Sequence, residues 1–550
     1  MFRKFVLPQI HGMCVPNIES EFDYVIVGAG SAGCVLANRL SADGRNSVAL
    51  VEAGGQDNWM WFHIPAGYLF AIGNPRADWM FRTEPNQGLN GRGLSYPRGR
   101  VIGGSSAINA MIYMRGQAAD YDHWRQMGLE GWGWADVLPY FLRDEDHFSG
   151  MSAFHGAGGA WRVDSPRVRW DLLDAFRNAA CEAGIPSTED FNRGDNEGCG
   201  YFHVNQKNGR RLSAAHAFLK PALGRKNLTL ITGALADRVI FADGAARGLV
   251  IRRDGEETTL FARREMILSA GAVATPALLE RSGIGAGTRL AALGVPIIRH
   301  SPGVGENLQD HLQLRCIYKV TGARTMNMDY RSPLKRVGMA LEYALFRRGA
   351  FTMAPSQLGA FTRSSSDFAT PNLQFHIQPL SLDKFGDPLH PFAAFTASVA
   401  NLRPTSRGSI HARERSADAP PIIAPNYLST QEDGRVACDS IRVTRRIVAC
   451  PALSRYAPEE YRPGAHLVSD DELVHAAGDI GTTIFHPVGT AKMGTDSDPM
   501  AVTDARLKVR GVGRLRIVDA SVMPAIPSGN TAAPTMMIAE KAADMILGEK

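Results

Sequence analysis

A short apolar run, Phe22-Asp23-Tyr24-Val25-Ile26-Val27, ends abruptly in glycines, and the residues beyond it, Ala37-Asn38-Arg39-Leu40, have helical character. This is the order strand, tight turn, helix. A second apolar run, Val48-Ala49-Leu50-Val51, closes on Glu52 and completes a βαβ unit. Such a unit predicts a parallel sheet whose ligand sits at the carboxyl ends of its strands. The same pattern predicts strands at 228–232, 238–241 and 266–269. Late in the chain, 514–519 reads as a strand tipped by Asp519, and 536–547 as a helix with Pro534 near its first turn. A strand and a helix this late are expected to rejoin the first domain. Glycine-rich text at 156–159 and 194–200 and proline-rich text at 404–425 read as loops, and no internal repeat is found.

The 550 residues predict two domains, interleaved in sequence. A formal charge of +5 with no dense run of Lys and Arg argues against nucleic acid as a partner. The mildly basic balance leaves peripheral association with an anionic membrane open, although no stretch of about 18 apolar residues exists to span one. Seven cysteines, Cys14, Cys34, Cys181, Cys199, Cys316, Cys438 and Cys450, are scattered without C-x-x-C spacing. They predict reduced thiols, a cytoplasmic setting and no metal. Basic Arg3 and Lys4 begin a leader-like segment, but Pro8, Gln9 and His11 interrupt its apolar run, so 1–20 is read as an arm.

The turn Gly28-Ala29-Gly30-Ser31-Ala32-Gly33 is a G-x-G-x-x-G between a strand and a helix. Its glycines let a pyrophosphate approach backbone N–H groups at the positive end of the helix. Glu52, 24 residues beyond Gly28, is placed to accept hydrogen bonds from an adenosine ribose. The pair predicts a dinucleotide and leaves NAD and FAD both open.

A longer segment, Gly99-Arg100-Val101-Ile102-Gly103-Gly104-Ser105-Ser106-Ala107-Ile108-Asn109, followed by Tyr113 to Gly116, resembles the first signature of the glucose-methanol-choline oxidoreductases. Ser269-Ala270-Gly271-Ala272, Thr275-Pro276 and Ser282-Gly283-Ile284-Gly285 are similar to that family's second signature, and Gly303 to His311 is also typical of it. The resemblance implies FAD and an α/β fold: a Rossmann-like FAD-binding domain with a second, α+β substrate-binding domain built on an antiparallel sheet. The expected parts are an arm at 1–20, the FAD-binding domain at 21–150, 220–315 and 478–547, and the substrate-binding domain at 151–219 and 316–477.

Expected cofactor contacts are Gly28, Gly30, Ser31, Ala32, Gly33, Glu52, Ala53, Arg100, Val101, Gly103, Gly104, Asn109, Ala110, Met111, Ala236, Asp519, Ala520, Asn530 and Thr531. Some family members tether FAD through a histidine, whereas Ala107-Ile108-Asn109-Ala110 contains neither His nor Cys, so the resemblance implies non-covalent FAD. A helix opening near Pro534 would aim its positive end at the flavin.

Ile484-Phe485-His486-Pro487-Val488-Gly489-Thr490 and Ser528-Gly529-Asn530-Thr531 resemble the family's catalytic segments, and His486 and Asn530 match its active-site pair. An alcohol releases hydride readily only as its O–H proton leaves, and a neutral imidazole suits that task. His486 is the expected base, with Asn530 donating to the same oxygen. Ile484, Phe485, Gln313 and Gln357 are the expected substrate-pocket residues, whereas Met353, Met536, Met537, Trp59, Trp61 and Phe62 are read as core. Relatives that oxidise choline are expected to carry a Glu where this chain has Gln313 or Gln357, which favours a neutral primary alcohol. Electrons are expected to pass to a quinone or other carrier in preference to oxygen. Choline oxidation, an oxygen-using alcohol oxidase, an NAD-dependent dehydrogenase and a flavin-containing hydroxynitrile lyase are the alternatives.

Overall fold

The computed structural model describes residues 20–384 and 386–549, so the arm expected at 1–20 lies outside them except for Ser20. Strand Glu21–Val27 pairs in parallel with Val48–Glu52 on one side and with the far half of Glu256–Leu268 on the other. Strand Leu228–Thr232 extends the sheet beyond Val48–Glu52, and Leu515–Ile517 extends it beside Glu256–Leu268, both in parallel. Val25, Ile26, Leu50 and Ile267 are fully buried, as both faces of a parallel sheet require. The first half of Glu256–Leu268 turns back onto Ala245–Arg253 and Leu235–Ala242 as an antiparallel meander. One 13-residue strand therefore serves two ladders.

The turn after Glu21–Val27 admits only glycine at its tightest point. Gly28 has φ +102°, and a Cβ there would lie 2.5 Å from the Ser269 carbonyl oxygen. Helix Ser31–Leu40 follows and packs against Ala532–Gly548, where Arg39 grips the buried Glu540 at 2.7 Å. That last helix begins four residues before the expected 536, because Pro534 falls in the first turn, where its missing N–H is not needed.

The second sheet is antiparallel, in the order Glu459–Arg462, Leu312–Lys319, Ala394–Asn401, Leu373–Gln378, Leu358–Thr362, Gly198–Tyr201. Helices Gln431–Val448 and Asp171–Glu182 pack on it around a separate apolar core. Leu312–Arg315 and Gly481–Thr483 belong to this sheet, close to the approximate boundaries expected at 315 and 478. The ladder from Gln313↔Ala400 to Lys319↔Ala394 is unbroken.

Candidate active site

A cavity of about 570 Å³ lies between the carboxyl ends of the parallel strands and one face of the antiparallel sheet. Three helices, Ser31–Leu40, Gly271–Arg281 and Ala532–Gly548, open their N-termini on it. Each presents first-turn N–H groups and a positive dipole end, a setting for a phosphate or a developing anion.

Glu52 closes one end. Its two oxygens accept from the Ala29 and Gly54 N–H groups at 2.9 and 2.7 Å. Burial raises this carboxyl to about 7, against the pull of those two donors. Asp519 is held in the same way by Gly271 N–H at 2.9 Å, Thr275 Oγ1 at 2.7 Å and Ser521 N–H at 2.8 Å. Asn109 accepts from Met111 N–H and from the buried Arg211, both at 2.9 Å, which leaves its amide N–H groups for the cavity it lines.

Of the expected cofactor contacts, Gly28, Gly30, Ser31, Ala32, Glu52, Ala53, Arg100, Gly104, Asn109, Ala110, Met111, Ala236, Asp519, Ala520, Asn530 and Thr531 line this cavity. Gly33, Val101 and Gly103 shape its walls from behind. A Cβ at Gly33 would lie 1.9 Å from the Gly28 oxygen, Val101 bridges Gly55, and Gly103 donates its N–H to the Ala29 carbonyl at 2.7 Å. Ile484, Phe485 and Gln313 line the cavity, but Gln357 does not. Its amide donates outward to the Val168 carbonyl at 3.1 Å, and its neighbour Ser356 faces the cavity instead. Adjacent residues of an extended chain face opposite ways.

His486 and Asn530 meet in the wall of the same cavity, with Asn530 Nδ2 3.0 Å from His486 Nε2. The other imidazole nitrogen, Nδ1, lies 3.1 Å from His311 Nδ1. His311 Nε2 is 3.3 Å from the Leu402 carbonyl, which can only accept. His311 therefore carries its hydrogen on Nε2, and the hydrogen shared between the two rings belongs to His486. His486 Nε2 is left unprotonated, with its lone pair facing Asn530. Burial drives the His486 pKa well below the usual 6.5, and the neighbouring His311, His376 and Arg98 charges push the same way.

The loop carrying His486 is strained and pinned. Phe485 adopts φ +70°, costly for an aromatic residue. Arg98 holds its carbonyl at 2.7 Å, and Thr483 Oγ1 accepts its N–H at 2.8 Å. Asp310 accepts the His486 N–H at 2.8 Å and the hydroxyls of Tyr96, Tyr427 and Thr483. Gln374 donates to Asn530 Oδ1 at 3.4 Å, orienting the amide. Sequence reasoning quoted His311 and Asp310 within a motif without giving them a task, and it missed Arg98, His376 and Gln374 altogether.

Two models of the GMC oxidoreductases match residues 22–313 and 404–539. The chain belongs to the GMC oxidoreductase family. Human mitochondrial choline dehydrogenase is 42% identical over 540 residues, covering 96% of this chain and 90% of that protein. The alcohol dehydrogenase [acceptor] of Pseudomonas putida is 40% identical over 531 residues, covering 96% of both. The crystal structure of pyridoxine 4-oxidase from Mesorbium loti superposes with a TM-score of 0.87 at 34% identity, covering 96% of this chain and 99% of that one.

As a GMC oxidoreductase the protein is an FAD-dependent enzyme acting on CH–OH donors. The cavity fits that cofactor: three helix N-termini face it, Glu52 and Asp519 stand at two strand tips, and Gly104 leaves no room for a side chain, since a Cβ would lie 2.7 Å from Gly30 Cα. Among the described residues no helix is long and apolar enough to cross a membrane.

Proposed function

We propose that this enzyme oxidises a neutral primary alcohol to its aldehyde, with His486 as the base, and passes the electrons to a quinone or similar carrier. FAD, when bound, supplies the hydride acceptor. The observation that carries the reading is the lone pair of His486 Nε2 beside the Asn530 amide N–H. An alcohol oxygen set between them would donate its proton to Nε2 and accept from Nδ2 of Asn530. The low basicity of His486 makes full deprotonation in advance unfavourable, so the proton moves as hydride leaves carbon. The imidazolium that forms keeps donating to His311 through Nδ1.

The names of the choline dehydrogenase relatives favour choline as a second reading. The lining of the catalytic end opposes it. Gln313, Ser356, His376, Gln378, Ile484, Phe485, His486 and Asn530 include no carboxylate and, apart from the two imidazoles, a single aromatic face, Phe485, and the cationic Arg98 lines the same cavity. A quaternary ammonium offers no N–H donor and depends on aromatic faces or a carboxylate.

Asn109, Ala110 and Met111 line the cavity where a tether would stand, which supports FAD held without a covalent bond. The six cysteines among the described residues are all free, which supports a reducing, cytoplasmic setting. The decisive test compares kcat/KM for choline, butanol, hexanol and benzyl alcohol with one dye acceptor and with oxygen. Values rising with chain length, and a dye faster than oxygen, are expected. A clear preference for choline would overturn the substrate assignment, and peroxide formed as fast as the dye is reduced would overturn the acceptor.

A further inference from the structure

Helix Pro333–Phe346 is apolar on two opposite sides. Met339 and Tyr343 are its only buried side chains and attach it to the protein, where Tyr343 stacks on Phe351 with centroids 5.8 Å apart. Leu334, Val337, Leu341 and Leu345 recur at three- and four-residue spacing and point the other way, with exposures of 86, 59, 56 and 70%. Phe346, the last residue of the helix, is also exposed, at 63%, though off the line of the stripe. Among the described residues nothing covers this face. Leucine exposed once needs no explanation, but a contiguous stripe along roughly 16 Å of helix does.

A second group of exposed apolar residues lies on elements connected to the helix through its buried face. The helix packs on Ala350–Thr352, which packs on Pro65–Gly67, and the chain then enters the short helix Tyr68–Ala71. There Leu69 and Phe70 are exposed, with Trp61, expected in the core, stacked on Phe70 at 3.9 Å. Exposed basic residues stand on the helix and its ends, Arg331, Lys335, Arg336, Arg347 and Arg348, with Lys335 also paired to Asp329, and Lys207 and Arg210 flank the Gly209 turn that the helix meets through Tyr343. The helix itself offers one acid, Glu342.

We propose that this face docks the enzyme on an anionic lipid bilayer, with the helix lying in the interface and its basic residues at the headgroups. Fourteen residues are too few to span the hydrocarbon but suffice for an interfacial amphipathic helix. Long Lys and Arg side chains reach from such a helix to lipid phosphates. A second copy of the chain is the poorer occupant. A symmetric pair would set Lys335 and Arg336 of one copy against Arg347 and Arg348 of the other.

The orientation has a functional consequence, which rests on the alcohol and carrier reading above. Tyr68 and Ile72 line the cavity while Leu69 and Phe70 between them face out, so the cavity wall is one residue thick at the docking face. A lipophilic alcohol or quinone dissolved in the bilayer would be concentrated at that wall.

The test is flotation of the full-chain holoenzyme with vesicles of phosphatidylcholine, alone or with phosphatidylglycerol. Wild-type protein is expected to float with the anionic vesicles and much less with the neutral ones, and high salt is expected to weaken the binding. Each basic residue near an anionic surface is worth roughly fivefold. The variant Leu334→Glu/Leu341→Glu/Leu345→Glu is expected to bind about 100-fold more weakly or worse, since three inserted side chains become charged. Its circular dichroism and its dye-linked activity on butanol should stay as in the wild type. Flotation does not depend on turnover, so failure of the docking and failure of the alcohol reading are separable. Wild-type protein left unbound by both vesicles would overturn the proposal. So would a wild-type dimer in sedimentation velocity that the triple variant converts to a monomer.

Discussion

His311 sets the protonation state of His486. Its Nε2–H is committed to the Leu402 carbonyl at 3.3 Å, so its Nδ1 can only accept from His486 Nδ1, 3.1 Å away. His486 therefore presents a lone pair, and no hydrogen, to Asn530.

Removing His486 should abolish base assistance while leaving the fold intact. His486→Ala is expected to slow anaerobic flavin reduction by about 100-fold or more, with FAD still bound, and Asn530→Ala by about tenfold. Stopped-flow absorbance at the flavin band measures both. Near-normal reduction in the His486 variant would remove it from the mechanism.

The pH dependence of reduction follows from the same burial. The His486 pKa lies well below 6.5, so the reactive neutral form persists as pH falls through 6.5 and is lost only in more acidic solution. Flavin reduction by a saturating alcohol should accordingly stay level between neutral pH and the unperturbed histidine value. A titration centred at or above 6.5 in the wild type would contradict the assignment.

Stability should move the other way. Burial lowers His311 and His376 to about 3 each and depresses His486 as well, so below 6.5 the unfolded chain binds protons that the folded one refuses. Folding stability then falls as pH drops from 6.5, with a slope approaching about 1.4 kcal/mol per pH unit for each such histidine. Thermal melts across this window check the sign, and His376→Gln should flatten the slope by about one histidine's share.

The tether question has a direct answer in solution. With Asn109, Ala110 and Met111 in the lining and no reactive side chain among them, acid precipitation should release all the yellow colour into the supernatant. Colour retained in the pellet would mean a covalent bond.

Gln313→Glu should reshape specificity. The side chain lines the cavity and its amide donates to the Thr483 carbonyl at 3.4 Å, so a carboxylate there would face a bound cation. The choline-to-hexanol ratio of kcat/KM is expected to rise by roughly tenfold or more. An unchanged ratio would show that this position does not read substrate charge.

Short-range pattern alone identified the strand Glu21–Val27, its glycine turn, Glu52 at the next strand tip, and the closing strand and helix. It could do so because the geometry of a βαβ unit is local: turn stereochemistry, strand length and a crossover of one hand leave few choices. The family motifs added His486 and Asn530, which the fold brings within 3.0 Å of each other.

What surrounds that pair was settled only by tertiary structure. His311 and Asp310 act on His486 from 175 and 176 residues away, and Arg98 holds Phe485 from 387 residues away. No periodicity encodes contacts of that span. The orientation that turns Ser356 into the cavity and Gln357 away from it is likewise set by distant partners, since the Gln357 amide donates to the Val168 carbonyl and its own carbonyl accepts from the Phe202 N–H. The exposed stripe of Pro333–Phe346 carries the same lesson. Its spacing is that of any amphipathic helix, and only the packing decided that Met339 and Tyr343 face the protein while the leucines are left outside.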